Sequence, residues 1–180
     1  SGAMYENRKR SGMSTPPVTG ESSLKYFLDR LEAAAPAPYD QNILLVHNVC
    51  LKQDDIDALK KVMMHPYFAI SPLPNIFIHN ALPPVELMRS NGLAVALGTD
   101  SLSSNDDLDM VKELACLHEA FPEVPMTEML EWACLNGARF LKKDDVLGTI
   151  TPGKRPGIVL VDNIDAEGFV TSQSRSARII

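Results

Sequence analysis

Apolar residues along this chain follow two alternating rhythms. Short unbroken runs within residues 42–47, 67–70 and 93–97 are bounded by polar residues, Pro or Gly, the pattern of strands buried on both faces. Other stretches space their apolar residues for a helix. Leu24, Phe27, Leu28 and Leu31 share one face of a helix that Ser22 or Ser23 would cap and that runs to about Ala34, with Pro36 and Pro38 ending it. Ile56, Leu59 and Val62 do the same across residues 53–62, with Asp54, Asp55 and Asp57 near the amino end, where the helix dipole favours acids. Pro83-Pro84 opens a helix reaching Arg89, Pro being acceptable in a first turn. Further helices are predicted over about 107–120 and 127–141, and Ser71-Pro-Leu-Pro74 reads as the stop of the second strand. Alternating strand and helix predicts parallel strands joined by right-handed crossovers, an α/β chain.

The two ends break this alternation. Residues 1–23 carry little apolar periodicity and hold Gly12, Pro16, Pro17 and Gly20, so an irregular lead-in is expected. The opening Ser1-Gly-Ala-Met-Tyr5 suggests either an expression scar or a piece of a longer polypeptide. At the other end, residues 148–154 are turn-rich, 157–161 read as a strand, 162–165 as a turn and 168–171 as another strand. The expected division is an α/β unit over 1–144 and a small β appendage over 145–180.

Composition narrows the function classes. A chain of 180 residues buries a real core, normally as one domain. A net charge of −6 and a pI near 5.2 argue against nucleic acid as a partner, and Arg8-Lys9-Arg10 reads as a solvated turn. Cys50, Cys116 and Cys134 are odd in number, far apart and lack Cys-x-x-Cys spacing, as expected of reduced thiols in a cytoplasmic protein. No apolar run approaches membrane-spanning length and no signal-peptide pattern opens the chain, so no membrane partner is expected.

The candidate chemistry lies at strand ends. In α/β folds ligands bind at the carboxyl edge of the strands, and two predicted strands run out there into Val46-His47-Asn48 and Thr99-Asp100-Ser101. Imidazole suits divalent zinc or iron, and a carboxylate can bind a metal through one oxygen and take a proton with the other. Each residue alone also has a structural reading: a hydrogen-bonded imidazole for His47, a turn or cap for Asp100. A His and an Asp at one sheet edge favour a site, although a stable metal centre takes three or four protein groups. His79 is a candidate substrate contact on a loop after the second strand. His65 is expected to precede its strand as a structural residue, and His118 to lie on a helix surface. Ser103, Ser104 and Asn105 either hydrogen-bond a polar substrate or cap the helix beginning near Asp107, with capping favoured for Ser104 and Asn105. Asp106-Asp107-Leu-Asp109 lacks the Gly and terminal Glu of a calcium loop and reads as helix-start charge. The methionines read as core filling.

Several motifs occur in a fixed order: Val46-His47-Asn48, Ser71-Pro-Leu-Pro-Asn75, Val95-Ala-Leu-Gly-Thr-Asp-Ser-Leu-Ser-Ser-Asn105, Leu135-Asn-Gly-Ala138 and Leu147-Gly-Thr-Ile-Thr-Pro-Gly-Lys154. From about residue 40 onward the chain resembles the amidohydrolase superfamily, most closely the chlorohydrolase and aminohydrolase branch that includes guanine, adenosine-type and aminofutalosine deaminases. The resemblance implies the carboxy-terminal part of a metal-dependent (β/α)8 TIM-type barrel followed by part of a small β-sandwich. His47 would end the sixth strand, residues 67–70 would be the seventh, and Asp100 would end the eighth. In this family the eighth-strand Asp binds the metal and shuttles the proton. The sixth-strand His positions the activated water in one-metal members and binds the second metal in two-metal members.

A whole barrel needs about 250 residues. The family's His-x-His after strand one and its strand-five His have no counterpart among His47, His65, His79 and His118. The resemblance therefore implies a missing amino-terminal half of the barrel as partner, a divalent metal (zinc first, iron or manganese as alternatives), a small-molecule substrate and a possible homodimer. The implied reaction is hydrolysis of a C–N bond, with ammonia released from an aminopurine-like or other heteroaromatic amine. His79, Ser103 and Asn105 would contact that substrate. Two other readings compete: a non-catalytic remnant acting as an interaction or structural module, and an unrelated α/β ligand-binding domain.

Overall fold

Both candidate residues hang from three parallel strands, β1 (Tyr39–Val46), β2 (Met63–Ile70) and β3 (Ala94–Leu97), which lie side by side in chain order. The computed structural model describes residues 3–15, 19–35 and 37–180. Helix α1 (Ala3–Arg10) and helix α2 (Ser23–Ala34) precede the sheet, α3 (Gln53–Val62) links β1 to β2, and α4 (Pro72–His79) and α5 (Val85–Ser90) link β2 to β3. After β3 come α6 (Met110–Ala120), α7 (Met126–Leu130), a single π-helical stretch (Glu131–Leu135) and α8 (Asn136–Phe140). Two antiparallel strands, β4 (Val159–Asp162) and β5 (Arg175–Arg178), close the chain.

Strand register explains the core. Phe68 pairs with Val95 and Ile70 with Leu97, so alternate residues of β2 and β3 make one apolar face. That face joins a buried cluster with Ile56 and Leu59 of α3, Val85 and Met88 of α5, and Leu114 and Leu117 of α6. Each such side chain contributes roughly 1.5–3 kcal/mol on burial. β2 begins four residues earlier than its apolar run suggests, and it contains Pro66. Residues before Tyr67 pair with β1 only, so the missing amide of Pro66 falls where the strand has one open side. His65 consequently lies inside β2, exposed, with Nε2 3.1 Å from Asp40 Oδ1.

Four further expectations need correcting. Residues 3–10 are helical, so Arg8, Lys9 and Arg10 occupy a last turn, where cations suit the dipole, and the Arg8 guanidinium donates to Ser14 O at 2.9 and 2.6 Å. Pro16, Pro17 and Pro36 lie outside the described residues. Ser71-Pro-Leu-Pro74 ends β2 but also begins α4, because Pro is preorganised for a first turn. Residues 168–171 are not a strand: β5 pairs with β4 instead, while Val170 is buried in the core and Phe169 stacks on His118 at 4.0 Å. His118 is therefore a packed residue with its Nδ1 buried, not a surface one.

Two of the motifs meet each other. Asn136 donates to Val95 O at 2.7 Å, fastening α8 to β3. Gly148 packs on the same helix with φ +86°, and a Cβ there would lie 3.0 Å from both Ala138 Cβ and Leu135 Cα. Backbone conformation and contact both demand glycine at this position. Gly148→Ala is expected to cost about 2 kcal/mol or more, a fall of about 4–8 °C in midpoint for a chain of this size. Thermal unfolding of the variant checks this, and an unchanged midpoint would show that the contact is absent.

Candidate active site

β1 and β3 finish at the same edge, and each turns there through a backbone conformation unusual for a side chain. His47 has φ +70°, Asn48 +56° and Asp100 +54°. A left-handed non-glycine residue costs of order 1–3 kcal/mol and tends to mark a site where geometry matters more than comfort. His47 N still completes the ladder by donating to Ala69 O at 2.8 Å, and Gly98 N does so to Ile70 O at 2.9 Å. The strands therefore hold firm up to the residues that turn.

These turns aim the two side chains at each other. His47 Nε2 lies 3.7 Å from Asp100 Oδ2, and both side chains are about 30% exposed. On its other side the ring donates from Nδ1 to Asn75 Oδ1 at 2.8 Å, which fixes the tautomer and leaves the Nε2 lone pair facing the carboxylate. Ser104 Oγ donates to Asp100 Oδ2 at 2.8 Å. Two electron-rich atoms facing each other across this gap suit an intervening cation. Ligands at about 2.0–2.1 Å from a tetrahedral metal lie about 3.4 Å apart. The pair fits as two ligands of such a centre; among the described residues no cluster of three or more His, Cys, Asp or Glu completes one.

The other candidates spread around this pair. His79 is the last residue of α4, not a loop residue, and lines a cleft of about 240 Å³ together with His47, Asn48 and Ser22. Ser103 bonds Ser101 Oγ at 2.6 Å and borders a separate cavity of about 920 Å³, with Leu73, Phe77 and Leu102 among its walls. Neither Ser104 nor Asn105 caps α6. That cap is Asp109, whose side chain accepts from Val111 N at 2.9 Å. Asn105 is engaged inside the protein, donating to Thr99 O at 2.9 Å and to Glu113 Oε1 at 2.7 Å while accepting from Asp106 N at 3.0 Å.

Sequence reasoning missed Asn75 and Glu113. Asn75 is fully buried on α4, and its Nδ2 has no partner among the described residues. Glu113 is fully buried on α6, and burial pushes its carboxyl up from the usual 4.5, against the opposing pull of the Leu73 amide and Asn105. The only early signal was a Glu on the inward face of an amphipathic helix. Because the folded chain holds this proton more tightly than the unfolded chain, the associated stability is full below the unfolded value. It is lost as pH rises through the folded one. Glu113→Gln is expected to flatten that slope in denaturant midpoints measured against pH; an identical slope would mean that Glu113 does not titrate as described.

The cysteines hold no pairing. All three are free, and burial raises Cys116 to about 11 and Cys134 above its usual value, which makes both poor nucleophiles. Among the described residues no helix is long and apolar enough to cross a membrane.

Comparisons with known proteins agree with the α/β architecture of the chain. The amidohydrolase family model matches residues 20–178, and the chain belongs to that family. This membership removes the reading as an unrelated α/β ligand-binding domain. A 5-methylthioadenosine/S-adenosylhomocysteine deaminase from Caldanaerobacter subterraneus is 37% identical over 123 residues, covering 64% of this chain and 28% of the relative. The fold matches an adenosine deaminase from Xanthomonas campestris with bound zinc at a TM-score of 0.62 and 24% identity, over 89% of this chain and 35% of that one. It also matches Helicobacter pylori aminofutalosine deaminase at 0.65 and 21% identity, over 87% and 37% respectively. The chain thus spans less than two fifths of the length of these relatives.

Proposed function

We propose that this chain is the carboxy-terminal sector, strands six to eight, of a metal-dependent (β/α)8 amidohydrolase. On this reading residues 1–144 belong to the barrel and 145–180 to its small β domain. The observation that carries it is the His47–Asp100 pair, facing across 3.7 Å from two left-handed strand ends. Both edges of the parallel sheet lack a paired strand among the described residues, and this, with the exposure of Val46, Met64, Phe77 and Leu102 by more than half, favours further strands completing the structure.

The intact protein is read as a cytoplasmic hydrolase of C–N bonds, releasing ammonia from an aminopurine nucleoside or a related heteroaromatic amine. A divalent ion, zinc first and iron or manganese next, would supply acidification of a water molecule. His47 and Asp100 would help hold it, with the remaining ligands coming from the upstream half. The reaction asks for a base, and Asp100 accepts the water proton on a carboxylate oxygen and returns it to the leaving amine. His47, locked by Asn75 with Nε2 forward, orients the attacking oxygen. On this reading His79 and Ser103, which line separate cavities, would meet polar groups of the substrate.

The relatives' names favour adenosine-type substrates, since those proteins are deaminases of methylthioadenosine, adenosine and aminofutalosine. Ammonia release from a panel of 5′-modified adenosines by the longer polypeptide containing this chain tests the reading. Stoichiometric release that chelation stops and zinc restores is expected. Failure to deaminate any aminopurine while binding zinc would redirect the substrate class; failure to bind a metal at all would favour a non-catalytic interaction module.

A further inference from the structure

Glu113 bonds neither member of the facing pair directly, yet each of its two hydrogen bonds ends on a segment that touches or carries one of them. Oε2 accepts from Leu73 N at 2.9 Å. Pro72 and Pro74 have no amide hydrogen, so Leu73 holds the one N–H of the first turn of α4, and a carboxylate there also suits the helix dipole. Two residues along the same helix is Asn75, whose Oδ1 accepts from His47 Nδ1. The second branch starts at Oε1, which accepts from Asn105 Nδ2. The same Asn105 amide donates to Thr99 O, the carbonyl immediately before the left-handed Asp100.

We infer that Glu113 is a positioning residue that sets the separation of His47 and Asp100, one carboxylate oxygen governing each partner. Packing alone does not require it: a fully buried acid in a helix otherwise lined by Val111, Leu114 and Leu117 is costlier than a Leu unless its bonds matter. Its two bonds end on α4, which supplies the His47 partner Asn75, and on the 99–105 loop, which carries Asp100. Loss of the carboxylate frees the α4 amino end and the 99–105 loop together, so both ring orientation and carboxylate placement relax.

This inference rests on the deaminase reading for its kinetic consequence but not for its structural one, and the test separates them. In the full chain with histidines labelled in nitrogen-15, the His47 ring is expected to show a fixed Nδ1–H tautomer at a pH where imidazole is neutral. Glu113→Ala should turn that signal into the averaged one of a free imidazole. Val111→Ala, a core deletion on the same helix, should leave it fixed. Glu113→Gln keeps the shape but can accept only one of the two donors, so it covers the case where the alanine variant does not fold and should loosen at least one branch. In the longer polypeptide, kcat should fall about 100-fold in Glu113→Ala with KM within about threefold, the effect expected of misplaced reacting groups. Asn105→Ala should lower kcat in the parent but add little in the Glu113→Ala background. A His47 signal that stays fixed in the folded Glu113 variants, or equal kcat losses in Val111→Ala and Glu113→Ala, would overturn the assignment. Absence of deamination in the unaltered protein would count against the proposed function alone, and the His47 signal would still decide the role of Glu113.

Discussion

Asp100→Asn in the longer polypeptide is expected to abolish turnover, a loss of at least about 10⁴-fold in kcat, while leaving the fold intact. The substitution removes the base and the negative charge but little else. Asn tolerates the left-handed conformation as well as Asp does, so φ +54° is no obstacle. Its amide can still receive the Ser104 hydroxyl, which donates to Oδ2 in the parent. Thermal midpoint should therefore change little. Activity within a few-fold of the parent would refute the role of Asp100 outright.

His47→Gln is expected to cost about 1,000-fold or more, since the ring bonds Asn75, faces Asp100 and on the proposed reading orients the attacking oxygen. Part of any stability loss will come from the backbone: His, Asn and Asp tolerate φ near +70° better than Gln does. His47→Asn serves as the companion variant because it keeps that conformation. If both lose turnover alike, the loss belongs to the imidazole. Should Gln chiefly lower the thermal midpoint, with Asn close to the parent in rate, His47 is a structural residue.

How much of this was legible beforehand follows from where each signal resides. The strands carrying His47 and Asp100 announce themselves locally, as apolar runs ending in polar residues, so both candidates and the parallel arrangement could be read directly. Helix α4 is harder to read, because a Pro-rich stretch after a strand suits a stop as well as a helix start and its first turn is completed by a carboxylate 40 residues away. The same distance hides Glu113, whose meaning exists only once α6 packs on α4. Proximity to α6 along the chain suggests a cap or a substrate contact for Asn105, whereas the structure turns its amide inward to Thr99 and Glu113. His118 looked like surface because its stacking partner Phe169 comes from the tail, a contact no helix pattern encodes. In the tail, turn residues were clear but strand pairing was not: β5 is mostly polar and exposed and carries almost no apolar alternation.

The central claim is that the gap between His47 and Asp100 is where the working ion sits. An anomalous difference map at the zinc edge, from crystals of the longer polypeptide, addresses it without any assumption about substrate. The expected result is a strong peak bonded to a carboxylate oxygen of Asp100 at about 2.0–2.2 Å, with His47 Nε2 within about 4 Å of the ion or of its bound oxygen. A metal-loaded, correctly folded protein whose peak lies away from Asp100 would contradict the account.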